Sequence, residues 1–98
     1  MKYFVIEGII KDSNLTDEKI MKKHMSYTQK AIDDGLILMS TLKTDMSGGL
    51  FIMKSESIEK LEEYLFNEPL KTFGVQDYKV IEFSPHYFNK SSAEWFDD

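Results

Sequence analysis

The pattern of hydrophobic and polar positions predicts a long first helix over residues 16–35. Apolar side chains recur there every three or four positions, and charged or polar ones occupy the opposite face. Thr16 is a favourable N-cap residue, and Gly35 is the usual residue for a left-handed helix end. The predicted apolar face consists of Ile20, Met21, Met25, Tyr27, Thr28, Ala31 and Ile32. His24 lies near the middle of this face.

Four further segments have the composition of β-strands. The first, from Lys2 to Ile10, is apolar on both faces, which is typical of a strand covered on both sides. Gly8 within it indicates a bulge or a close approach of another group, and we expect Glu7 at an exposed strand end. The other strands are predicted at residues 36–42, 50–54 and 78–83, with the first two of these joined as a hairpin.

A second, shorter helix is predicted after the hairpin. Ser55 or Ser57 can cap it, and Pro69 ends it, because the residue before a proline is pushed out of the helical region. Glu68 therefore falls at the helix end or in the following turn. The apolar stripe of this helix consists of Ile58, Leu61, Tyr64 and Leu65.

The order of these elements is β-α-β-β-α-β, the ferredoxin-like arrangement of the α+β class. Its two helices cover one face of a four-stranded antiparallel sheet. Because the strands are apolar on both sides, the second face would be an exposed apolar surface, which calls for a partner. We therefore predict a homodimer in which two sheets pack face to face.

Composition and charge exclude several classes of function. The 98 residues contain no cysteine, so disulfides and thiolate chemistry are absent, and we expect a cytoplasmic location. The net charge is −5 and the lysines are scattered, which argues against a nucleic-acid partner. No apolar run is long enough for a membrane span, and the N-terminus lacks the apolar core of a signal peptide.

His24 is the leading candidate for a catalytic residue, and an acidic side chain is sought as its hydrogen-bond partner. A histidine on an apolar face needs a hydrogen-bond partner. Asp33 lies nine residues on, roughly 13 Å along a helix and on its opposite side, so one continuous helix excludes a contact; Asp34 lies further still. Glu68 belongs to another element and is the favoured partner. A core histidine bonded to a backbone carbonyl stays an alternative.

Other site chemistries have little support in the sequence. His24 and His86 have no His-x-His or His-x-x-x-His spacing, so no metal is expected. No G-x-S-x-G elbow occurs, and Gly48-Gly49 lacks the lysine of a phosphate-binding loop. We therefore expect no cofactor. The methionines are expected to fill a core or to line an adaptable pocket.

The chain resembles the YciI-like family of the dimeric α+β barrel superfamily over residues 1–85. The matching segments are MKYFVI, KKHMSY with His24, DDGLIL, GGLFIMKSESIEKLEEYL and EPLKTFGVQDYKVIEF. The resemblance implies a characteristic histidine on the first helix and an acidic-Pro-aromatic triplet after the second. Here the triplet is Glu68-Pro69-Leu70, and Met21 stands where many members have an arginine. Residues 86–98 are then an aromatic and acidic tail, which covers a pocket or packs on the dimer partner.

Two classes of function follow. The first is an enzyme that transfers protons on a small organic molecule, as in isomerases and lyases, with His24 as general acid/base and Glu68 as its carboxylate. The second is a non-catalytic dimeric module that binds a small ligand or another protein. An enzyme should present His24 in an open cleft within reach of an acid, whereas a binding module would let apolar side chains close over it.

Overall fold

The computed structural model describes residues 1–91 and 94–96, and its centre is a four-stranded antiparallel sheet in the order β2-β3-β1-β4. The strands are β1 (Lys2–Ile10), β2 (Ile37–Leu42), β3 (Gly49–Ser55) and β4 (Gln76–Phe83). The helices are α1 (Glu18–Asp33), α2 (Ile58–Phe66) and the short α3 (Pro69–Thr72). Together they give the ferredoxin-like α+β fold that the sequence predicts.

The central strand β1 is apolar on both faces, as predicted. Phe4 and Ile6 are fully buried and form the core together with Leu61 and Leu65 of α2. Val5 alternates with them and points to the other face. Its neighbours across the sheet are Ile52 of β3 and Ile81 of β4, so an apolar surface continues over three strands on the side without helices.

Helix α1 begins one residue later than predicted. The Oδ1 of Asp17, rather than Thr16, accepts the Ile20 N–H at 2.8 Å, because Thr16 caps the C-terminus of a preceding 3-10 turn, Ser13–Leu15. Gly35 ends the helix with φ +77°, as expected. Met25 was wrongly assigned to the apolar face: it is 65% exposed, since the buried stripe of α1 is narrow and contains only Ile20, which packs against Leu70 and Val75, and Ala31, which joins the main core.

The second half of the chain contains one element, α3, that the sequence pattern does not predict. Ser57, one of the two predicted caps, begins α2, which ends at Phe66. Pro69 does not merely break that helix but occupies the first turn of α3, where its missing N–H costs nothing. Strand β4 begins at Gln76, two residues before the predicted start.

Gly8 marks a close approach, one of its two predicted interpretations. A Cβ at this position would lie 2.6 Å from the Nε2 of Gln76 on the neighbouring strand. The irregularity in the sheet lies instead in β2, between Ile37 and Met39. Glu7 is half-buried and its Oε2 pairs with Lys43 Nζ at 2.8 Å, so it is less exposed than expected.

The chain after β4 has little regular structure in the described part. A 3-10 turn, Glu94–Phe96, carries two exposed aromatic residues. The acidic end of the predicted tail, Asp97 and Asp98, lies outside the described residues. Among the residues that the structure describes, none of the helices has the length and apolar character needed to cross a bilayer.

Candidate active site

A cavity of about 230 Å³ lies between α1, the sheet and the β2–β3 hairpin. Helix α1 contributes His24 and Thr28 to its lining, and the sheet contributes Phe51 and Tyr78. Glu68, from the turn between α2 and α3, is also part of the wall. The two site residues predicted from the sequence therefore border the same space.

His24 and Glu68 are hydrogen-bonded to each other. The bond joins Nδ1 of the imidazole to Oε1 of the carboxylate. The His24 side chain is 26% exposed, and it is not closed over by apolar groups. Because the carboxylate occupies Nδ1, Nε2 is the ring nitrogen available to a molecule in the cavity.

Glu68 is a buried carboxylate that accepts hydrogen bonds at both oxygens. Its residue is 1% exposed. Besides His24, the donors are the Leu70 N–H at 3.0 Å and the Tyr78 hydroxyl at 2.5 Å, both to Oε2. A buried charge is tolerated only with such compensation. These three donors therefore hold the carboxylate in one orientation beside the imidazole.

Local sequence explains how this carboxylate reaches the histidine. Pro69 forces Glu68 into an extended conformation, with φ −67° and ψ 128°, so its side chain turns back over the N-terminus of α3. A small apolar cluster of Ile20, Leu70 and Val75 packs α1 against this turn. His24 lies one helical turn after Ile20, on the same side of α1. The cluster thus brings the imidazole to the carboxylate.

Three tyrosines lie close to the pair, and the sequence pattern marks none of them as a site residue. The Tyr78 ring meets Phe51 edge-on, with centroids 6.0 Å apart, and Tyr27 donates to the Tyr64 carbonyl at 2.6 Å. Burial, with a smaller contribution from the charge of Glu68, raises the pKa of Tyr27 to about 12. Burial likewise raises the pKa of Tyr64 and of Tyr78. The raised pKa values keep all three hydroxyls protonated well above neutral pH.

The excluded acids and the second histidine lie elsewhere. Asp33 accepts from Gln29 at 2.9 Å, and Asp34 pairs with Lys30 at 2.9 Å, both on the exposed side of α1. His86 lines a separate cavity beside the C-terminal segment. Among the described residues, no group of three or more histidines and acids is arranged to hold a metal ion.

Comparison with known proteins places the chain in a family. A family model described as YCII-related domain matches residues 1–84. The chain belongs to the YCII-related domain family. The match covers the whole sheet, the helix with His24 and the turn with Glu68, so the cavity lies within the YCII-related domain. No curated protein matches the sequence.

Solved structures share the fold of this YCII-related domain at low sequence identity. One is the 5-chloro-2-hydroxyhydroquinone dehydrochlorinase TftG from Burkholderia phenoliruptrix, in complex with 2,5-dihydroxybenzoquinone. It has a TM-score of 0.66 and 20% identity, over 88% of this chain and 95% of that chain. Another is described as an antibiotic biosynthesis monooxygenase, with a TM-score of 0.56 and 13% identity, over 89% of this chain and 100% of that one. These likenesses establish the fold.

Proposed function

We propose that this YCII-related domain is an enzyme that transfers protons on a small hydroxylated ring, with His24 as general acid/base. The observation that carries the proposal is the buried Glu68 carboxylate on Nδ1 of a histidine that is open to a cavity. A bonded carboxylate fixes the tautomer and stabilises the imidazolium that forms when Nε2 accepts a proton. This is the arrangement expected of an acid-base catalyst.

The proposed chemistry needs no group beyond the chain and its substrate. Nε2 of His24 removes a proton from a hydroxyl group or an acidic C–H of the ring, and the electron pair moves into the ring system. The imidazolium then returns the proton to another atom, which gives isomerisation. Alternatively, a substituent departs with an electron pair and takes the proton from the imidazolium, which gives a lyase-type elimination and returns His24 to its neutral form. Glu68 stays ionised and accepts the Nδ1–H throughout.

The alternative, a non-catalytic ligand-binding module, has less support. Such a module would let apolar side chains close over His24, yet the side chain is 26% exposed within the cavity. The choice of a hydroxylated ring is supported by the fold neighbour TftG. The compound in its name, 5-chloro-2-hydroxyhydroquinone, and the molecule bound in its structure, 2,5-dihydroxybenzoquinone, are both oxygenated six-membered rings. At 20% identity this likeness suggests a class of compound to test rather than a substrate.

The proposal is tested by proton exchange in deuterated buffer. The wild-type protein is incubated with resorcinol and 1,2,4-trihydroxybenzene, and the loss of ring C–H signals is followed by NMR. We expect exchange of at least one compound roughly 100-fold or more above buffer, the range of general acid-base catalysis. His24→Ala should abolish the acceleration, whereas His86→Ala should keep it.

Two results would contradict the proposal. One is the absence of acceleration for every compound of the panel. The other is an acceleration that persists in His24→Ala, which would assign the exchange to another group. Circular dichroism of each variant verifies that the fold is retained.

We further propose that the protein is a homodimer assembled through the sheet faces. Val5, Ile52 and Ile81 form the middle of an apolar surface opposite the helices, and Ile81 is 50% exposed. A surface of this kind is covered in most soluble proteins. The cavity lies on the helix side of the sheet, so this interface would leave it accessible.

A further inference from the structure

The cavity beside His24 is polar and buried at one end and apolar and exposed at the other. Glu68 and Gln76 are only 1% and 6% exposed. Met21, Leu42 and Met46 also line the cavity but are 36%, 75% and 69% exposed, so they form its rim. Apolar side chains grouped at the mouth of a cavity are a common feature of ligand sites.

Met46, one of the rim residues, has an unfavourable backbone conformation. Its φ of 63° lies in the left-handed region, and it is the one non-glycine residue with positive φ among those the structure describes. Glycine adopts this conformation without strain. The Met46 N–H donates to the Lys43 carbonyl at 3.0 Å, so the turn between β2 and β3 fixes this conformation and leaves the Met46 side chain exposed at the rim of the cavity.

The loop that carries Met46 is fixed at both sides. The Ile10 N–H donates to the Ser47 carbonyl at 2.9 Å, which joins the loop to the end of β1. Within the loop, the Lys43 N–H donates to the Gly48 carbonyl at 2.9 Å. The strained residue is therefore held over the cavity by the backbone rather than by its own side chain.

The charges around the cavity disfavour anionic ligands. None of the described residues in its lining is a lysine or an arginine. Lys43, which follows β2, is already paired with Glu7 at 2.8 Å. The carboxylate of Glu68 and the net charge of −5 both repel a second anion.

The volume of the cavity sets the size of the ligand. At about 230 Å³ it is smaller than the roughly 300–1,000 Å³ of typical drug-sized pockets. A single ring with a short substituent fits this space, whereas a nucleotide or another large cofactor would exceed it.

We infer that the site takes a hydroxylated ring bearing an uncharged apolar substituent, with the hydroxyl group toward His24 and the substituent between Met21, Leu42 and Met46. This inference rests on the proposed function of the same cavity and specifies its substrate class. The substituent would replace water on the exposed rim, and burial of each CH₂ group contributes to affinity.

The inference is tested with four probes that differ only at ring position 4. Phenol, 4-propylphenol, 4-hydroxybenzoate and 4-hydroxybenzenesulfonate are titrated into ¹⁵N-labelled protein, and dissociation constants are taken from amide shifts near Thr28 and Phe51. We expect 4-propylphenol to bind about tenfold or more tightly than phenol, since each fully buried CH₂ group gives about a fourfold gain. The two anionic compounds should bind more weakly than phenol.

Substitutions at Met46 test the rim directly. Met46→Gly should reduce the advantage of 4-propylphenol over phenol to about threefold or less and should keep or raise the melting temperature, because glycine relieves the strain. Met46→Ala should reduce the same advantage without that relief. Met25→Ala is the matched control, since Met25 is equally exposed on α1 but does not line the cavity.

The inference is overturned if the propyl group gives no gain, if the gain survives in Met46→Gly, or if the shifts map to the open face of the sheet. Its failure is distinguishable from failure of the proposed function, because binding is measured without turnover. Selective binding of 4-propylphenol with no His24-dependent exchange would reject the enzyme and retain the ligand class. Proton exchange that depends on His24, without tighter binding of 4-propylphenol than of phenol, would retain the enzyme and reject the ligand class.

Discussion

Among single residues, Glu68 combines two structural tasks. Its Oε2 caps α3 through the Leu70 N–H, and its Oε1 bonds Nδ1 of His24. Tyr78 supplies the third donor. A carboxylate that is both a helix cap and a histidine partner cannot turn away from the imidazole without leaving a backbone amide unsatisfied.

We expect Glu68→Gln to change the tautomer of His24. The neutral amide no longer favours a proton on Nδ1, so the Nδ1–H tautomer should lose population at neutral pH and proton exchange of a substrate should fall at least tenfold. Long-range ¹H–¹⁵N NMR of the imidazole distinguishes the tautomers, with His86 as an internal comparison. Asp33→Asn is the matched control and should leave both quantities unchanged. A response to Asp33→Asn alone would mean that the wrong acid has been paired with the histidine.

The sequence identifies His24 and Glu68 as site residues, but it does not identify all of the side chains that contact them. Helical geometry excludes Asp33 from contact with His24, and that exclusion needs only the rise per residue. Tyr78 gives no comparable signal, because an alternating strand predicts which side it faces but not which carboxylate it meets. Its partner Glu68 is ten residues earlier, and the distance between them depends on how α3 folds back.

Among the elements, the start of α1 matters most for the site, because it sets the position of His24 along the cavity. We expect Asp17→Ala to lower the free energy of unfolding by about 1 kcal/mol, since its carboxylate caps the Ile20 N–H. Thr16→Ala should cost less than half as much, because Thr16 is not the cap. Urea unfolding followed by circular dichroism measures both. Equal losses would show that Thr16 and Asp17 share the capping role.

The predicted element order is confirmed, whereas several boundaries shifted for local reasons. Thr16 and Asp17 are both good caps, and only the preceding 3-10 turn decides between them. Helix α3 was missed because Pro69 is read equally well as a stop signal or as the first residue of a new helix. The burial of Met25 was overestimated because periodicity gives the direction of a side chain but not the width of the surface that covers it.

At the scale of the whole molecule, the open sheet face predicts association. Sedimentation equilibrium at micromolar concentration should give about twice the chain mass of 11.5 kDa. Ile81→Glu should shift the population toward monomer, because it places a charge in the middle of the apolar surface. Phe66→Glu, an equally drastic change at a residue 71% exposed on α2, should leave the dimer intact. A wild-type monomer at that concentration would reject the sheet-to-sheet arrangement.

The cytoplasmic location expected from the sequence stays a prediction.

One backbone hydrogen reports on the site without any ligand. The Leu70 N–H has no carbonyl partner in the first turn of α3 and donates to the carboxylate that holds His24. Its exchange with deuterated solvent requires that bond to open. The protection of this single amide therefore measures how often the carboxylate departs from its bonded position. A comparison of its exchange rate with that of the sheet amides would separate local opening of the His24–Glu68 pair from unfolding of the domain.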